Sequence, residues 1–220
     1  MKAYTTYIFD LDGTLTDTMA VWLGIFRDGL SHFNMTPPDD KTLSQYTHNW
    51  NELTKLGFPE EKLEDFSQFA YKQANERLPE AQMHVGAVDM LDALKNHNKR
   101  IAIFSTMDRQ IFEPAMNHRN LGKYAEVAVA GTDVPRRKPQ PDGIFKALHD
   151  LGVQPKDYAT AVYIGDKDTD IQAAHNAGID GVLYYPASHQ LMYDRSELEK
   201  HNPTDIITDW NELVTALSDS

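Results

Sequence analysis

Short apolar runs that end in polar residues recur along the chain, at residues 4–9, 101–104, 127–129, 161–164 and 181–184. They are too short for helices and rich in Val, Ile, Phe and Tyr, so each reads as a buried strand. Helical spacing of apolar positions fills the stretches between them, at 87–97, 110–118, 141–151 and 169–177. The alternation predicts an α/β fold, with parallel strands joined by helical crossovers. Punctuation agrees: Pro141 suits a first helical position, and Gly152 and Gly178 suit C-terminal stops. A last short strand and an amphipathic helix are expected over 206–217.

Residues 17–85 break the rhythm. They hold no convincing strand, but Met19, Trp22, Phe26, Leu30 and Phe33 form one helical stripe, and Leu63, Phe66 and Ala70 a second. Pro37-Pro38 and Gly57-Phe58-Pro59 punctuate between helices. The expected organisation is an α/β core from 1–16 and 86–220, with a helical unit of 17–85 inserted after the first strand. The aromatics of that unit are expected to pack its helices together.

Composition narrows the function. Thirty-three acidic against 21 basic residues leave a formal charge of -12, which disfavours nucleic acid and anionic membranes as partners. A small phosphate needs only a locally positive site. There are no cysteines, so disulfides, thiolate zinc sites and a cysteine nucleophile are excluded. The N-terminal apolar run is too short for a signal peptide and Asp10 interrupts it. The cytoplasm is the expected compartment; nothing in the pattern specifies an oligomeric state.

Polar clusters follow four of the strands: Asp10-x-Asp12-Gly-Thr, Ser105-Thr106, Lys138 within PRRKPQPD, and Gly165-Asp166-x-Asp168-x-Asp170. Taken singly they are weak, since an Asp pair makes a solvated turn, a Ser a helix cap and a Lys an exposed basic turn. Calcium loops fail: the positions that need glycine and glutamate hold Leu15 and Val21, or Ile171 and Ala177. No paired-histidine zinc motif, nucleophile elbow or P-loop is present. Taken together the clusters converge, because the C-terminal ends of parallel strands share one edge, where ligands bind. Residues i and i+2 of an extended segment point the same way, so Asp10 and Asp12 address one point and Asp166 joins them. Three crowded carboxylates call for a hard divalent cation, Mg²⁺ above all. Lys138 and Ser105 would then meet phosphoryl oxygens.

FDLDGTLTDT, IAIFST, RRKPQPD and YIGDKDTDIQAAHNAG, in this order, resemble the four motifs of the haloacid dehalogenase superfamily. The resemblance is to the branch with a helical cap after motif one, alongside phosphoglycolate phosphatase and β-phosphoglucomutase. It implies a Rossmann-like doubly wound parallel sheet with an inserted α-helical cap. It also implies Asp10 as the nucleophile that forms an aspartyl-phosphate, and Asp12 as general acid and base. Mg²⁺ would be held by Asp10, the backbone carbonyl of Asp12, and Asp166, with Asp170 supporting its surroundings; Asp168 reads as a helix-start residue.

The substrate implied is a small phosphorylated metabolite, phosphoglycolate-like or a sugar phosphate. Thr106 stands where many relatives carry Asn. Asp12 argues against a dehalogenase and a phosphonate hydrolase. Trp22 aligns with the histidine of sugar-phosphate mutases, which lowers the alternative of a β-phosphoglucomutase-type mutase. The intact set Asp10, Asp12, Lys138 and Asp166 weighs against a non-catalytic phosphometabolite-binding protein. Substrate choice is expected near His48, Asn49 and Trp50 of the cap, with packing of the bundle the competing role for Trp50. Arg109 and Arg137 are expected at the surface.

Overall fold

A computed structural model of the chain describes residues 2–47 and 50–218; His48 and Asn49 lie outside them. The chain runs β1 (Thr6–Phe9), α1 (Met19–His32), α2 (Asp40–Ser44), α3 (Leu63–Arg77), α4 (Ala87–Asn96), β2 (Arg100–Phe104), α5 (Arg109–His118), β3 (Val127–Val129), α6 (Asp142–Asp150), β4 (Ala161–Gly165), α7 (Asp168–Ala177), β5 (Asp180–Tyr184), α8 (Arg195–Glu199), β6 (Asp205–Ile207) and α9 (Trp210–Ser218).

The six strands form one parallel sheet in the order β3-β2-β1-β4-β5-β6. β1 is central, with Tyr7 opposite Ile101 on one side and Val162 on the other. Side chains alternate across the sheet. Tyr7, Phe9, Ile103 and Ile164 therefore enter one core with Leu91 of α4 and Trp210 and Leu213 of α9. Ile8, Ala102, Phe104 and Tyr163 enter another with Ile144 and Leu148 of α6 and Ala174 of α7. Burial on both faces explains why these strands read as continuous apolar runs rather than alternating ones.

Small differences from the sequence expectation have local causes. The ladder starts at Thr6, not residue 4, because the Tyr4 N–H is spent on the Tyr7 hydroxyl (3.3 Å); Tyr4 is still buried. α6 begins at Asp142, with Pro141 just before it. α2 was not foreseen. Its signal was Asp39, whose carboxylate accepts from the Thr42 N–H at 3.0 Å.

Helices α1–α3 form the insertion between β1 and β2. Its core is aromatic: Phe66 of α3 meets Phe26 and Phe58 edge-on, each at 5.3 Å. A Cβ on Gly29 of α1 would come within 2.6 Å of the Phe66 ring, so glycine at that point lets the two helices approach. The insertion joins the sheet through two paired strands of backbone. Asp17 N–H donates to Gln82 O, and His84 N–H to Leu15 O, both at 2.9 Å. No helix among the described residues is long and apolar enough to cross a membrane.

Candidate active site

The strand order reverses between β1 and β4, and a crevice opens outside the carboxyl ends of strands at such a point. β1 delivers Asp10, whose N–H donates to Ile164 O of β4 at 2.8 Å. β4 delivers Asp166, and the first turn of α7 delivers Asp170. The loop between β3 and α6 brings Lys138 across the sheet. All four side chains are buried.

Lys138 is the hub. Its Nζ lies 2.9 Å from Asp10 Oδ1 and 2.6 Å from Asp170 Oδ1, and donates to the Tyr163 hydroxyl at 3.0 Å. Tyr163 in turn donates to Phe104 O at 2.9 Å, which ties the lysine to β2. Asp170 Oδ2 accepts from the Lys167 N–H at 2.9 Å. Asp166 Oδ1 accepts from the Thr14 hydroxyl at 3.0 Å. Gly13 has φ +87°, and a Cβ there would strike Asp166 Oδ2 at 2.6 Å. The Gly-Thr turn after Asp12 is therefore built to lie against a carboxylate from β4.

Side-chain oxygens of Asp10, Asp166 and Asp170 lie within 4.8 Å of one another. The sequence reading put the Asp12 carbonyl in the metal set and Asp170 behind it; the carboxylate trio here includes Asp170, while the Asp12 carboxylate turns to the cap. Trp22 of α1 donates its indole N–H to Asp12 Oδ2 at 2.7 Å. Ser105 is buried and its hydroxyl accepts from the Met107 N–H at 3.2 Å; it is not the helix cap that a serine there could be, since Asp108 precedes α5. Asp168 opens α7, as expected.

A cavity of about 370 Å³ lies between core and cap. Asp12, Thr106 and Lys167 line its floor, and Trp22, Trp50 and Tyr71 its cap side. Trp50 packs its ring on Phe26 (5.9 Å) and Phe66 (6.3 Å), as the competing packing role expected, and also lines the cavity. Arg109 and Arg137 are half-exposed and paired with Asp133 and Asp108, yet Arg137 also lines the cavity. Lys167 was missed in the sequence, hidden within an acidic motif where a lysine reads as an exposed counter-charge.

Burial dominates the electrostatics. It pushes the Asp10 carboxyl up to about 7, against the pull of Lys138, with Asp170 and Asp12 adding to the rise. It pushes Asp166 up to about 8, against Lys167, with Asp170 and Asp10 adding. Burial works against the Lys138 charge, but Asp10 and Asp170 outweigh it and hold its pKa well above the usual range. Lys167 is likewise raised: burial opposes its charge, and Tyr193, Asp166 and Asp12 outweigh burial.

The residues fit a hard divalent cation. Asp166 Oδ2 is buried with no hydrogen-bond partner, and the donors are all carboxylate oxygens, which suit Mg²⁺. A cation there would relieve the repulsion that raises Asp10 and Asp166.

A capped parallel α/β sheet with an acidic crevice at its switch point defines the class. Residues 7–184 match the family described as haloacid dehalogenase-like hydrolase, and the chain belongs to that family. It is 27% identical over 217 residues to pyrophosphatase PpaX of Bacillus mycoides, covering 97% of this chain and 96% of that one. It is 28% identical over 182 residues to phosphoglycolate phosphatase of Synechococcus elongatus, covering 80% and 81%. Among solved structures, a Bacteroides fragilis protein assigned to the haloacid dehalogenase-like hydrolases superposes with TM-score 0.81 at 26% identity, over 96% of this chain and 99% of that one.

Proposed function

We propose that the chain is a Mg²⁺-dependent phosphatase acting on a small phosphorylated metabolite through an aspartyl-phosphate on Asp10. The observation that carries this reading is the Lys138 ammonium held between Asp10 and Asp170, beside Asp166, at the switch point. Asp10 attacks phosphorus in line, and Asp12 gives a proton to the departing oxygen. Asp12 then takes a proton from the water that attacks the aspartyl-phosphate. Lys138 and the Ser105 hydroxyl stabilise charge on the phosphoryl oxygens. Asp10, the carbonyl of Asp12, and Asp166, with Asp170 beside them, would hold Mg²⁺, which supplies charge neutralisation for phosphoryl transfer.

Residues 17–85 are read as the cap domain, a division supported by the backbone pairing at both of its ends. The Trp22, Trp50 and Tyr71 walls favour a leaving group with a ring or hydroxyls, as in a sugar phosphate. Among the described residues lining the cavity, the only cations are Lys167 and the already paired Arg137. That supports the sugar-phosphate class over phosphoglycolate, which brings a second anion.

The test is phosphate release from p-nitrophenyl phosphate and a panel of phosphorylated metabolites. Wild type should turn over with Mg²⁺ and stop in EDTA, and Asp10→Asn should lose at least about 10³-fold in kcat. Normal turnover by Asp10→Asn overturns the nucleophile. An isomeric sugar phosphate as product, without free phosphate, overturns the phosphatase in favour of a mutase.

A further inference from the structure

We infer that Trp22 is a positioning residue for Asp12, through which the cap sets the orientation of the core's general acid. The indole Nε1–H donates to Asp12 Oδ2 at 2.7 Å. Asp12 Oδ1 is buried and has no hydrogen-bond partner. One carboxyl oxygen is thereby held as an acceptor, and the other is left free to carry and deliver a proton. A carboxyl at the end of two rotatable bonds has several rotamers. A hydrogen bond from a ring that cannot swing selects one of them.

The ring cannot swing because the cap holds it. Trp22 packs on Phe26 at 6.4 Å and on Trp50 at 6.2 Å. Its backbone is fixed in the first turn of α1, where its N–H donates to Thr18 O at 3.0 Å. Trp22 and Asp12 lie on opposite sides of the linker that carries the chain from sheet to cap. The indole is thus a strut from the cap's aromatic core to the floor of the cavity, and both residues line that cavity.

The inference rests on the phosphatase reading above. In the first step the Asp10 carboxylate forms a bond to phosphorus while the phosphorus–oxygen bond to the leaving group breaks. The proton on Asp12 Oδ1 passes to the departing oxygen, giving a neutral alcohol and an ionised Asp12. In the second step water attacks phosphorus and loses its proton to Asp12, which restores both carboxyl groups and releases phosphate. The orientation of Oδ1 matters most when the leaving oxygen is strongly basic. An alkoxide needs the proton as the bond breaks; p-nitrophenolate departs almost without it.

The experiment replaces Trp22 by phenylalanine and, separately, by benzothienylalanine, which keeps the ring system's size and removes only the N–H donor. Turnover is compared on glycerol 2-phosphate and p-nitrophenyl phosphate, with Asp12→Asn and Asp10→Asn alongside. The expected result is a selective loss in kcat/KM, which reports the first, leaving-group-dependent step and not the hydrolysis common to both substrates. On glycerol 2-phosphate it falls about 10- to 100-fold, up to the low end of what a general acid contributes, and on p-nitrophenyl phosphate several-fold less. Equal losses of kcat/KM on both substrates would mean that Trp22 only shapes the cavity, and the inference falls. The benzothienyl variant decides if the phenylalanine variant does not fold. Should Asp12→Asn show the selective loss while both Trp22 variants behave as wild type, the inference alone fails. Full activity of Asp10→Asn would instead remove the reading beneath it.

Discussion

The crevice and the cap are both well packed, but by opposite means. In the crevice, buried charges hold one another: Lys138 is fixed by two carboxylates and a tyrosine, and each carboxylate leans on a backbone or side-chain donor. In the cap, rings hold rings: Phe26 and Phe58 meet Phe66 edge-on, and Phe33 meets Phe58 edge-on. A charged network tolerates no missing member, because each deletion strands a partner without water. An aromatic cluster loses area and gains a void, and its neighbours partly relax. The crevice should therefore be brittle in function and stability together, whereas the cap should be brittle in stability first.

Lys138→Met tests the brittle side and has the largest expected effect. It leaves Asp10 and Asp170 facing each other unneutralised, so urea unfolding in EDTA should show a loss of roughly 3–5 kcal/mol, and turnover should vanish. A loss below about 1 kcal/mol would show that the network is not cooperative. Phe66→Ala attacks the cap and should cost roughly 3 kcal/mol or more by the same measurement. At a temperature where the variant is folded, its turnover of p-nitrophenyl phosphate should stay within a few-fold of wild type. Complete inactivity of the folded variant would break the comparison.

A titration separates the regions next. The Asp10 and Asp166 carboxyls lie above their unfolded values, at about 7 and about 8. Such groups bind more protons in the folded state, so the metal-free fold should lose stability as pH rises from about 4 to about 8. Mg²⁺ should restore it, raising Tm by about 5–10 °C at pH 8 for a hundredfold excess over Kd, and by little at pH 5. A Mg²⁺ gain independent of pH would count against the carboxylate site.

The smallest effect is expected at His189, beside the cap linker. Burial, with His84 and Lys167 nearby, pushes it down to about 3, and both its ring nitrogens lack hydrogen-bond partners. The sign is opposite: its contribution is present above pH 6.5 and lost as pH falls toward 3. His189→Phe should change stability at pH 7 by less than about 1 kcal/mol and flatten the acid limb of the Tm profile. An unchanged acid limb would show that other groups carry it.

The crevice and the cap's helices were legible in the sequence, and the contact between them was not, for a physical reason. Asp10 and Asp166 follow strand ends directly and Lys138 lies in the loop after a third strand, and parallel strands bring their ends to one edge whatever lies between them. Period and position alone therefore predict the meeting. The contact between Trp22 and Asp12 depends on how a helix stripe turns over a linker, and no spacing rule encodes it. Lys167 was hidden because the groups that hold its charge include Tyr193 and Asp12, contributed by segments remote in the chain. His84 and His189 were passed over because singly each lacks a motif; they meet, rings 5.7 Å apart, only once the fold closes.

The place of β1 carries a consequence for synthesis. It is the first of the six strands of this sheet to be made and lies at its centre, and its register needs both Ile101 and Val162 opposite Tyr7. At ribosomal speeds of about 5–20 residues per second, Tyr7-Ile8-Phe9 waits on the order of 10–30 seconds for its second neighbour. During that interval a fully apolar strand has no permanent home. The nascent chain should be most vulnerable to aggregation, and most open to chaperone capture, between emergence of the cap and emergence of β4.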